Sequence, residues 1–384
     1  MEDRLVSERP WVVIGPGQRP WVGMGPRERR RPLGIALLAA TAATLAAVLA
    51  SPSTSHGQEL AWGLTAVPGL EVGHFTLTER PTGCTVVLAR GGAVGGVDVR
   101  GGAPGTSETD LLDPVNTVQE IHGVVLSGGS AFGLDARSGV MRYLDEKGVG
   151  YRMGDIVVPI VAAAVIYDLP IGGDPRVRPD ADCGYRAATH ASAQTPAEGN
   201  VGAGAGATVG KSGGMARAMK GGVGTASITL ESGLIVAAII VVNAVGDIID
   251  PATGSVVAGV RTADGLGLAD ARVLLRAGAS NEARGGANTT LGVVATNATL
   301  TKAEATKVAQ MAQDGLARAI YPAHTPRDGD TVFSLATGTL SGNASVLRIG
   351  ALAADVTAEA ILRAVRAATG IPGFPAARDL NTGR

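Results

Sequence analysis

The sequence predicts a layered α/β fold, in which sheets pack between helices. Short apolar runs typical of buried strands are interspersed with segments of helical periodicity, without strictly repeated βαβ units. Hydrophobic residues make up 45% of the 384 residues, which is enough for a sizeable core. Glycine occurs 56 times and aromatic residues contribute only 3%, so we expect a core of small aliphatic side chains on closely approaching backbones.

Two short apolar runs in the first half of the chain predict buried strands, at residues 86–88 and 124–126. The next segment, residues 130–146, has its apolar side chains near one helical face and is followed by Gly148. Glycine commonly ends a helix, so this segment is predicted to be helical.

The clearest hairpin lies in the second half of the chain. Residues 227–230 and 234–243 are both strand-like and flank the turn residues Glu231-Ser232-Gly233. Residues 291–295 form another apolar run of strand length. We therefore predict a hairpin followed, further along the chain, by one more buried strand.

Two helices are predicted after that strand. Thr301 and Glu304 have the spacing of a capping box, and the apolar periodicity that follows extends to about Ile320. Pro322 is expected to end this helix. A last helix is predicted at residues 357–369.

The first 56 residues predict an N-terminal extension that carries an export signal. Four arginines between residues 27 and 31 precede the uncharged, Ala/Leu-rich residues 33–50, and small residues follow at 51–55. This order is typical of a secretory signal, so we expect a periplasmic or secreted protein. Residues 33–50 also reach the lower length limit of a membrane span, which leaves an uncleaved membrane tether as the alternative. Residues 57–384 are expected to form a single domain.

Charge and composition exclude several classes of protein. The formal net charge is −1 and the mature region has no long basic run, which argues against nucleic acid as a partner. Cys84 and Cys183 lack CxxC spacing and the histidines number only five, so no metal site is indicated. We expect two buried free thiols, and the alternative is that the two cysteines pair in an oxidising compartment, which their spacing alone does not show. Residues 202–206 alternate Gly and Ala, but no helix and ribose-binding carboxylate follow them. We expect this segment to pack backbone or to line a pocket, and no cofactor is predicted.

The candidate nucleophile is Thr289. The pair Asn288-Thr289 lies between a Gly/Ala-rich loop, residues 284–287, and the predicted strand at residues 291–295. Cleavage of the Asn288–Thr289 bond would give Thr289 a free α-amino group, whose pKa in an unperturbed peptide is about 8. Such an amine can act as the base that an unactivated threonine hydroxyl lacks.

Two carboxylates downstream are candidate partners of this nucleophile. Asp328 and Asp330 are two residues apart, so in an extended segment both side chains would project from the same face. One carboxylate could then orient the hydroxyl or amine of Thr289 while the other holds the first in place. The alternative is that Asp-Gly-Asp forms only a turn, which these residues favour.

Motifs in the same order resemble those of the P1 peptidase family, the autoprocessed L-aminopeptidases and D-esterases that include the β-aminopeptidases and the nylon-oligomer hydrolases. Besides the two stretches around Thr289 and Asp330, the matching segments are residues 71–74, 82–87, 102–106, 126–136 and 199–204. The Asn-Thr junction with the later Asp-x-Asp is similar to the nylon-oligomer hydrolase branch. The resemblance implies a four-layer αββα sandwich shared with the ornithine acetyltransferases, and cleavage into an α chain ending at Asn288 and a β chain starting at Thr289. It also implies a homo-oligomer of α/β heterodimers.

The resemblance further implies roles for individual side chains. Thr289 would be the nucleophile, with Asp328 and Asp330 as its supporting carboxylates. Lys211 matches the lysine that this branch places beside the nucleophile, and Asn243 matches the amide that donates a hydrogen bond to the oxyanion.

Three of the implied site residues have simpler alternative interpretations. Tyr167, which matches a tyrosine near the substrate, ends an apolar run and is also consistent with the edge of a core. Lys211 lies in a Gly/Ser loop, where a solvated lysine is common. Asn243 ends the longest apolar run of the mature region, so its amide either caps the following turn or points into a pocket.

Three functions follow from these observations. The first is a self-cleaving amidohydrolase that attacks peptides, β-peptides or aminohexanoate oligomers through a threonine acyl-enzyme. The second keeps the fold but transfers the acyl group to an amine, as ornithine acetyltransferases do, although an export signal argues against such a biosynthetic role. The third is a non-catalytic secreted binding protein, in which the Asn288–Thr289 bond stays intact.

Overall fold

Two halves of one hydrogen-bonded sheet stack face to face between helices in the computed structural model, which describes residues 62–279, 288–343 and 345–380. The strands of the described residues are β1 (Glu71–Thr76), β2 (Gly83–Val99), β3 (Thr106–Ser107), β4 (Glu120–Ser127), β5 (Tyr151–Met153), β6 (Ile156–Val158), β7 (Val161–Val165), β8 (Thr208–Val209), β9 (Met219–Lys220), β10 (Gly222–Thr229), β11 (Ile235–Asn243), β12 (Asp247–Ile249), β13 (Val256–Ala258), β14 (Thr289–Thr296), β15 (Ile320–Tyr321) and β16 (Thr331–Ala336). The α-helices are α1 (Ala136–Glu146), α2 (Ala181–Thr189), α3 (Ala271–Arg276), α4 (Lys302–Ala319) and α5 (Val346–Ala367).

Strand β2 joins the two halves of the main sheet. The strand order is β10-β11-β14-β16-β2-β4-β7-β3, and β1 pairs with β2 off this path. The first part of β2 lies between β1 and β4, and after a register shift between Leu88 and Ala93 its last part pairs with β16. The β14–β16 and β4–β7 pairs are parallel, whereas the other pairs of this sheet are antiparallel.

Side-chain alternation along the strands defines the layers. In β11, Ala237, Ile239 and Val241 belong to a core cluster that also contains residues of β2, β4 and β7, while the intervening Val236, Ala238 and Ile240 pack with α4 and α5. The outer face of β2 and β4 packs against α1 and α2. Because successive side chains of a strand point to opposite faces, each half of the sheet is covered on both sides. The result is the predicted αββα sandwich.

Most predicted elements are confirmed. The apolar runs at residues 86–88 and 124–126 lie in β2 and β4, and the run at 291–295 lies in β14. The predicted hairpin is β10–β11, with Thr229 paired to Ile235. Helix α4 begins with the predicted capping box of Thr301 and Glu304. The predicted helix at residues 130–146 starts as a 3₁₀ turn, Ser130–Asp135, and becomes α-helical only at Ala136.

The last helix begins earlier than predicted. It starts at Val346, eleven residues before the predicted start, and contains Gly350 in its first turns. A Cβ atom at Gly350 would lie 2.2 Å from the Sδ atom of Met311 in α4. Glycine is weak in an isolated helix, but here it permits close packing of two helices, so tertiary contacts override the local preference.

The prediction of two free thiols is wrong. Cys84 in β2 and Cys183 in α2 form a disulfide whose Cα atoms are 6.3 Å apart, within the usual range for such bonds. Spacing along the chain could not reveal this pairing, because the two residues are separated by 99 positions and meet only when α2 packs on the sheet. The disulfide ties the outer helical layer to the sheet.

The predicted N-terminal extension, residues 1–56, and the Gly/Ala-rich loop at residues 284–287 lie outside the described residues. Helices within the described ranges include none that is both long enough and apolar enough to cross a membrane. The predicted segment 202–206 lies within those ranges and is buried, with a 3₁₀ turn at Gly202–Gly204. A Cβ atom at Gly204 would lie 2.5 Å from the backbone nitrogen of Val223, so this segment packs backbone against backbone, as expected.

We expect Cys84→Ala and Cys183→Ala each to lower the free energy of unfolding by about 2–4 kcal/mol, because the disulfide restricts a long loop in the unfolded chain. Urea denaturation of oxidised protein measures the change, and the double variant should match either single variant. Alkylation of unreduced, denatured wild-type protein should add no label, whereas reduction first should add two. Two labels without reduction would show that the thiols are free.

Candidate active site

The register of β11 and β14 brings the predicted nucleophile opposite the predicted oxyanion amide. Thr289 is the first residue of β14 and pairs with Asn243, the last residue of β11. The preceding residue, Asn288, forms an isolated parallel bridge with Asp328. Ladder hydrogen bonds therefore place three of the predicted site residues together with Asn288 at one end of the central strands.

The peptide bond between Asn288 and Thr289 is closely surrounded by hydrogen-bond donors. The Thr289 hydroxyl donates a short hydrogen bond to the carbonyl oxygen of Asn288, and the backbone N–H of Gly329 donates to the same oxygen at 2.9 Å. Thr289 is only 3% exposed and Asn288 is fully buried. In the uncleaved chain the hydroxyl thus lies next to the carbonyl of its own peptide bond, in a site closed to solvent.

The side chain of Asn288 has an unfavourable environment. Within the part of the chain that the structure describes, neither its amide nitrogen nor its amide oxygen has a hydrogen-bond partner, although both atoms are buried. Burying an unpaired polar group costs about 1–3 kcal/mol. The uncleaved chain therefore carries a local energetic penalty at the residue that precedes the predicted cleavage point.

Asn243 and Lys211 form a buried pair beside Thr289. The Lys211 ammonium donates to the side-chain oxygen of Asn243 at 2.8 Å and to its backbone oxygen at 2.9 Å. The Asn243 side-chain oxygen also accepts from the Thr208 N–H at 3.0 Å, and its amide nitrogen donates to the Tyr167 carbonyl at 3.3 Å. The amide of Asn243 points into the molecule and does not cap the following turn. Tyr167 contributes its carbonyl to this network.

Burial shifts the proton affinity of two groups in the site. Desolvation lowers the pKa of Lys211 to about 7, although the charges of Asp328 and Asp168 act in the opposite direction. Burial and then the charge of Asp330 raise the pKa of Asp328 to about 6, against its hydrogen bonds to Thr325 and the charge of Lys211. Lys211 is thus a buried lysine and not the solvated loop residue of the simpler interpretation. Both groups titrate near neutral pH, where groups that transfer protons are most effective.

The two carboxylates have different partners in the uncleaved chain. The Asp330 carboxylate accepts the Thr290 N–H at 2.7 Å and both the backbone N–H and Nδ1 of His324 at 2.9 Å. The Asp328 carboxylate accepts hydrogen bonds from the backbone N–H and hydroxyl of Thr325. Asp330 therefore fixes the backbone next to Thr289, and Asp328 lies within the same buried group of charges.

Sequence reasoning missed three contributors to the site. His324 pairs with Asp330; burial opposes protonation of its ring, but the hydrogen bond and charge of Asp330 outweigh that effect and raise its pKa. The Thr208 N–H donates to the side-chain oxygen of Asn243. Gly329, which the sequence suggested only as a turn residue, donates its N–H to the carbonyl oxygen of Asn288. Each is adjacent to a motif that was recognised, but only the folded backbone shows what its polar atoms face.

A second buried polar cluster holds one segment of the site in place. Arg80 and Asp168 form a fully buried ion pair at 2.9 Å, and the Asp168 carboxylate also accepts from the Thr82 hydroxyl at 2.6 Å. The Arg80 guanidinium donates to the backbone oxygen of Asp168, the residue after Tyr167. This cluster fixes the segment whose carbonyl contacts the amide of Asn243. Among the described residues, no cluster of His, Cys, Asp or Glu side chains is suited to hold a metal ion.

Comparison with known proteins identifies the class of this fold and site. The chain matches peptidase family S58 over residues 63–378. An uncharacterized aminopeptidase of Mycobacterium leprae is 46% identical over 349 residues, which cover 81% of this chain and 92% of the relative. A 6-aminohexanoate-oligomer endohydrolase of a Kocuria species is 33% identical over 314 residues, which cover 78% of this chain and 84% of the relative.

Solved structures show the same fold at lower sequence identity. A β-aminopeptidase of a Burkholderia species superposes with a TM-score of 0.61 and 23% identity, over 80% of this chain and 87% of that chain. The L-aminopeptidase D-Ala-esterase/amidase of Ochrobactrum anthropi is described as a variant of the Ntn-hydrolase fold. It superposes with a TM-score of 0.60 and 19% identity, over 81% of this chain and 88% of that chain. The chain belongs to peptidase family S58, and it is a hydrolase that acts on amide bonds. The resemblance in the sequence motifs is confirmed.

We expect Asn288→Leu, made in a Thr289→Ala background, to raise the free energy of unfolding by about 1–3 kcal/mol, because it removes two buried polar atoms that lack partners. Urea denaturation measures the change. Asn297→Leu is the matched control, because its buried amide accepts from Ile235 at 2.9 Å and donates to Gly233 at 2.8 Å, so this change should destabilise the protein. Equal destabilisation by both substitutions would show that Asn288 is not strained.

Proposed function

We propose that this protein is a self-cleaving amidohydrolase whose nucleophile is Thr289, freed as an N-terminal residue by cleavage of the Asn288–Thr289 bond. The observation that carries the proposal is the hydrogen bond from the Thr289 hydroxyl to the carbonyl oxygen of Asn288. A hydroxyl held against the carbonyl of its own peptide bond is positioned for an intramolecular attack, which gains from proximity.

The burial of the nucleophile supports cleavage as the step that precedes turnover. Thr289, Asn243 and Lys211 are at most 3% exposed, so a substrate has no access to them in the uncleaved chain. Cleavage would also generate the α-amine that serves as the general base of an N-terminal threonine. Cleavage thus supplies the base. It also lets the segment before Thr289 move away, so that a substrate can take its place.

The surrounding groups suit an acyl-enzyme mechanism. Thr289 attacks the substrate carbonyl, its amine takes the hydroxyl proton and passes it to the leaving amine, and water then hydrolyses the ester. Lys211 lies next to Asn243 at 2.8 Å, and in its protonated form its positive charge helps to keep the amine neutral. Asn243 donates to the oxyanion once its amide turns from the Tyr167 carbonyl. Asp330 holds the backbone of Thr290 in place.

The proposed substrates are short peptides, β-peptides and linear aminohexanoate oligomers. The names of two relatives and one structural neighbour support this range: the M. leprae protein is named an uncharacterized aminopeptidase, the Kocuria protein a 6-aminohexanoate-oligomer endohydrolase, and the neighbour a β-aminopeptidase. Export and assembly into oligomers of α/β heterodimers complete the proposal. They rest on the basic and apolar order of residues 27–55 and on the family resemblance.

We expect purified protein to separate on a denaturing gel into two fragments, the smaller of which begins at Thr289 by N-terminal sequencing. Thr289→Ala should remain a single chain, because it lacks the attacking hydroxyl. Thr290→Val is the matched control: Thr290 is the next residue of the same strand and its hydroxyl has no partner among the described residues, so cleavage should proceed.

An active wild-type protein that stays in one piece would contradict this mechanism. So would cleavage at the same bond in Thr289→Ala, since the attacking oxygen would then come from another group. Loss of cleavage in both Thr289→Ala and Thr290→Val would point to a general packing defect at the start of β14.

We expect the cleaved enzyme to release free acid from a small amide without any added amine, and Lys211→Met to lower this turnover at least about tenfold, the scale of a lost proton-handling group. Lys220→Met is the matched control. Lys220 is also a buried lysine whose pKa is lowered to about 7 by desolvation, but its ammonium donates to the backbone oxygens of Gly204, Ala207 and Gly221.

Turnover is measured per cleaved, folded molecule, so that loss of stability is separated from loss of chemistry. Lys220→Met should reduce the folded yield and leave the rate per folded molecule near that of the wild type. Turnover that requires an added amine such as ornithine would change the assignment to an acyltransferase. Unchanged turnover in Lys211→Met would remove this lysine from the mechanism.

A further inference from the structure

We propose that the backbone N–H of Gly329 is the oxyanion donor for self-cleavage of the Asn288–Thr289 bond. The proposal rests on the self-cleavage proposed above and adds a catalytic group that sequence motifs do not reveal. The amide assigned to the oxyanion by resemblance, that of Asn243, donates to the Tyr167 carbonyl in the uncleaved chain. Gly329 is the residue whose N–H already contacts the carbonyl oxygen that would become the oxyanion, at 2.9 Å.

The peptide group that carries this donor is held at both ends. Its carbonyl, from Asp328, accepts the N–H of Ala103 at 2.8 Å, while its N–H faces the carbonyl of Asn288. Because a trans peptide group is planar, fixing the carbonyl also fixes the direction of the N–H. Two residues further on, the carbonyl of Asp330 accepts the N–H groups of Arg100 and Gly101 at 3.0 and 3.2 Å. The donor is therefore preorganised, as effective oxyanion sites require.

Glycine is needed at this position for a steric reason. A Cβ atom on residue 329 would lie 2.8 Å from the hydroxyl oxygen of Thr289 and 2.9 Å from the backbone oxygen of Ala103. Any side chain would thus push against the attacking oxygen or against the loop that holds the donor. Only a residue without a side chain lets the donor, the carbonyl and the hydroxyl lie together.

The reaction is balanced without any group beyond water. The Thr289 oxygen bonds to the carbonyl carbon of Asn288, whose oxygen gains the negative charge that the Gly329 N–H stabilises. The carbon–nitrogen bond then breaks, and the Thr289 nitrogen takes the proton that the hydroxyl released. Water hydrolyses the resulting ester, which leaves a carboxylate on Asn288 and restores the Thr289 hydroxyl. Burial strengthens the stabilising hydrogen bond, because no solvent competes for the oxyanion.

The test removes the N–H and keeps the shape. Cell-free translation of the full chain with glycolic acid at position 329 replaces the amide by an ester, and cleavage is followed by intact mass. We expect cleavage to slow by about 100- to 1000-fold, the usual effect of losing one oxyanion donor. The matched control places glycolic acid at position 233, where the N–H of Gly233 donates to Leu230, also at 2.9 Å, in a turn of the β10–β11 hairpin. Cleavage of that chain should match the wild type.

Three further measurements separate the possible causes. Thermal melting of both ester chains in a Thr289→Ala background checks the fold. N-methylglycine at position 329 removes the same N–H by different chemistry. If only one of the two chains changed at position 329 folds, that chain decides the outcome. Hydroxylamine traps the ester intermediate; it should not restore the rate, because the donor acts before the ester forms. Wild-type cleavage by a folded chain that lacks the 329 N–H, or rescue by hydroxylamine, would overturn the role of Gly329. Absence of cleavage in the wild type would instead overturn the proposed function.

Discussion

The antiparallel pairing of β11 with β14 is the constraint on which the site depends. It places Asn243 opposite Thr289, and both strands are covered on one face by the second half of the sheet and on the other by helices. If the pairing of β11 with β14 shifted by one residue, the side chains of each face would move to the opposite face. Each set of side chains would then pack against the wrong layer. Hydrophobic packing along the whole strand therefore sets the register that positions a few polar atoms at its end.

The second organising feature is the burial of charge at that end of the strands. Lys211, Asp328, Asp330 and the Arg80–Asp168 pair are all at most 2% exposed. Such groups are expensive to bury unless they are hydrogen-bonded, and each has partners in the uncleaved chain. Among the described residues of the site, the Asn288 amide has no partner for either of its polar atoms, and the Nε2 of His324 and the hydroxyl of Thr290 also lack partners. An unsatisfied amide thus lies at the bond that the proposed reaction breaks, while the charged side chains around it are hydrogen-bonded.

Sequence patterns predicted the strands and the capped helix because these depend on local alternation and spacing, as in the β10–β11 hairpin and at Thr301. They failed where a distant contact decides the outcome. The early part of α5 contains Gly350, which packs closely against Met311, and the disulfide forms where α2 lies against β2. The family motifs indicated the candidate site residues, but gave no information about their hydrogen-bond partners.

The sequence alone determined the layered α/β fold, the family, and the candidate residues Thr289, Asp328, Asp330, Lys211 and Asn243, since residue types and their order along the chain carry that information. Only the tertiary structure decided which polar atoms meet. It pairs His324 with Asp330 and directs the Gly329 N–H to the Asn288 carbonyl. The physical reason is that hydrogen bonds are short and directional. Their partners depend on how separate strands and loops are brought together, which no local pattern specifies.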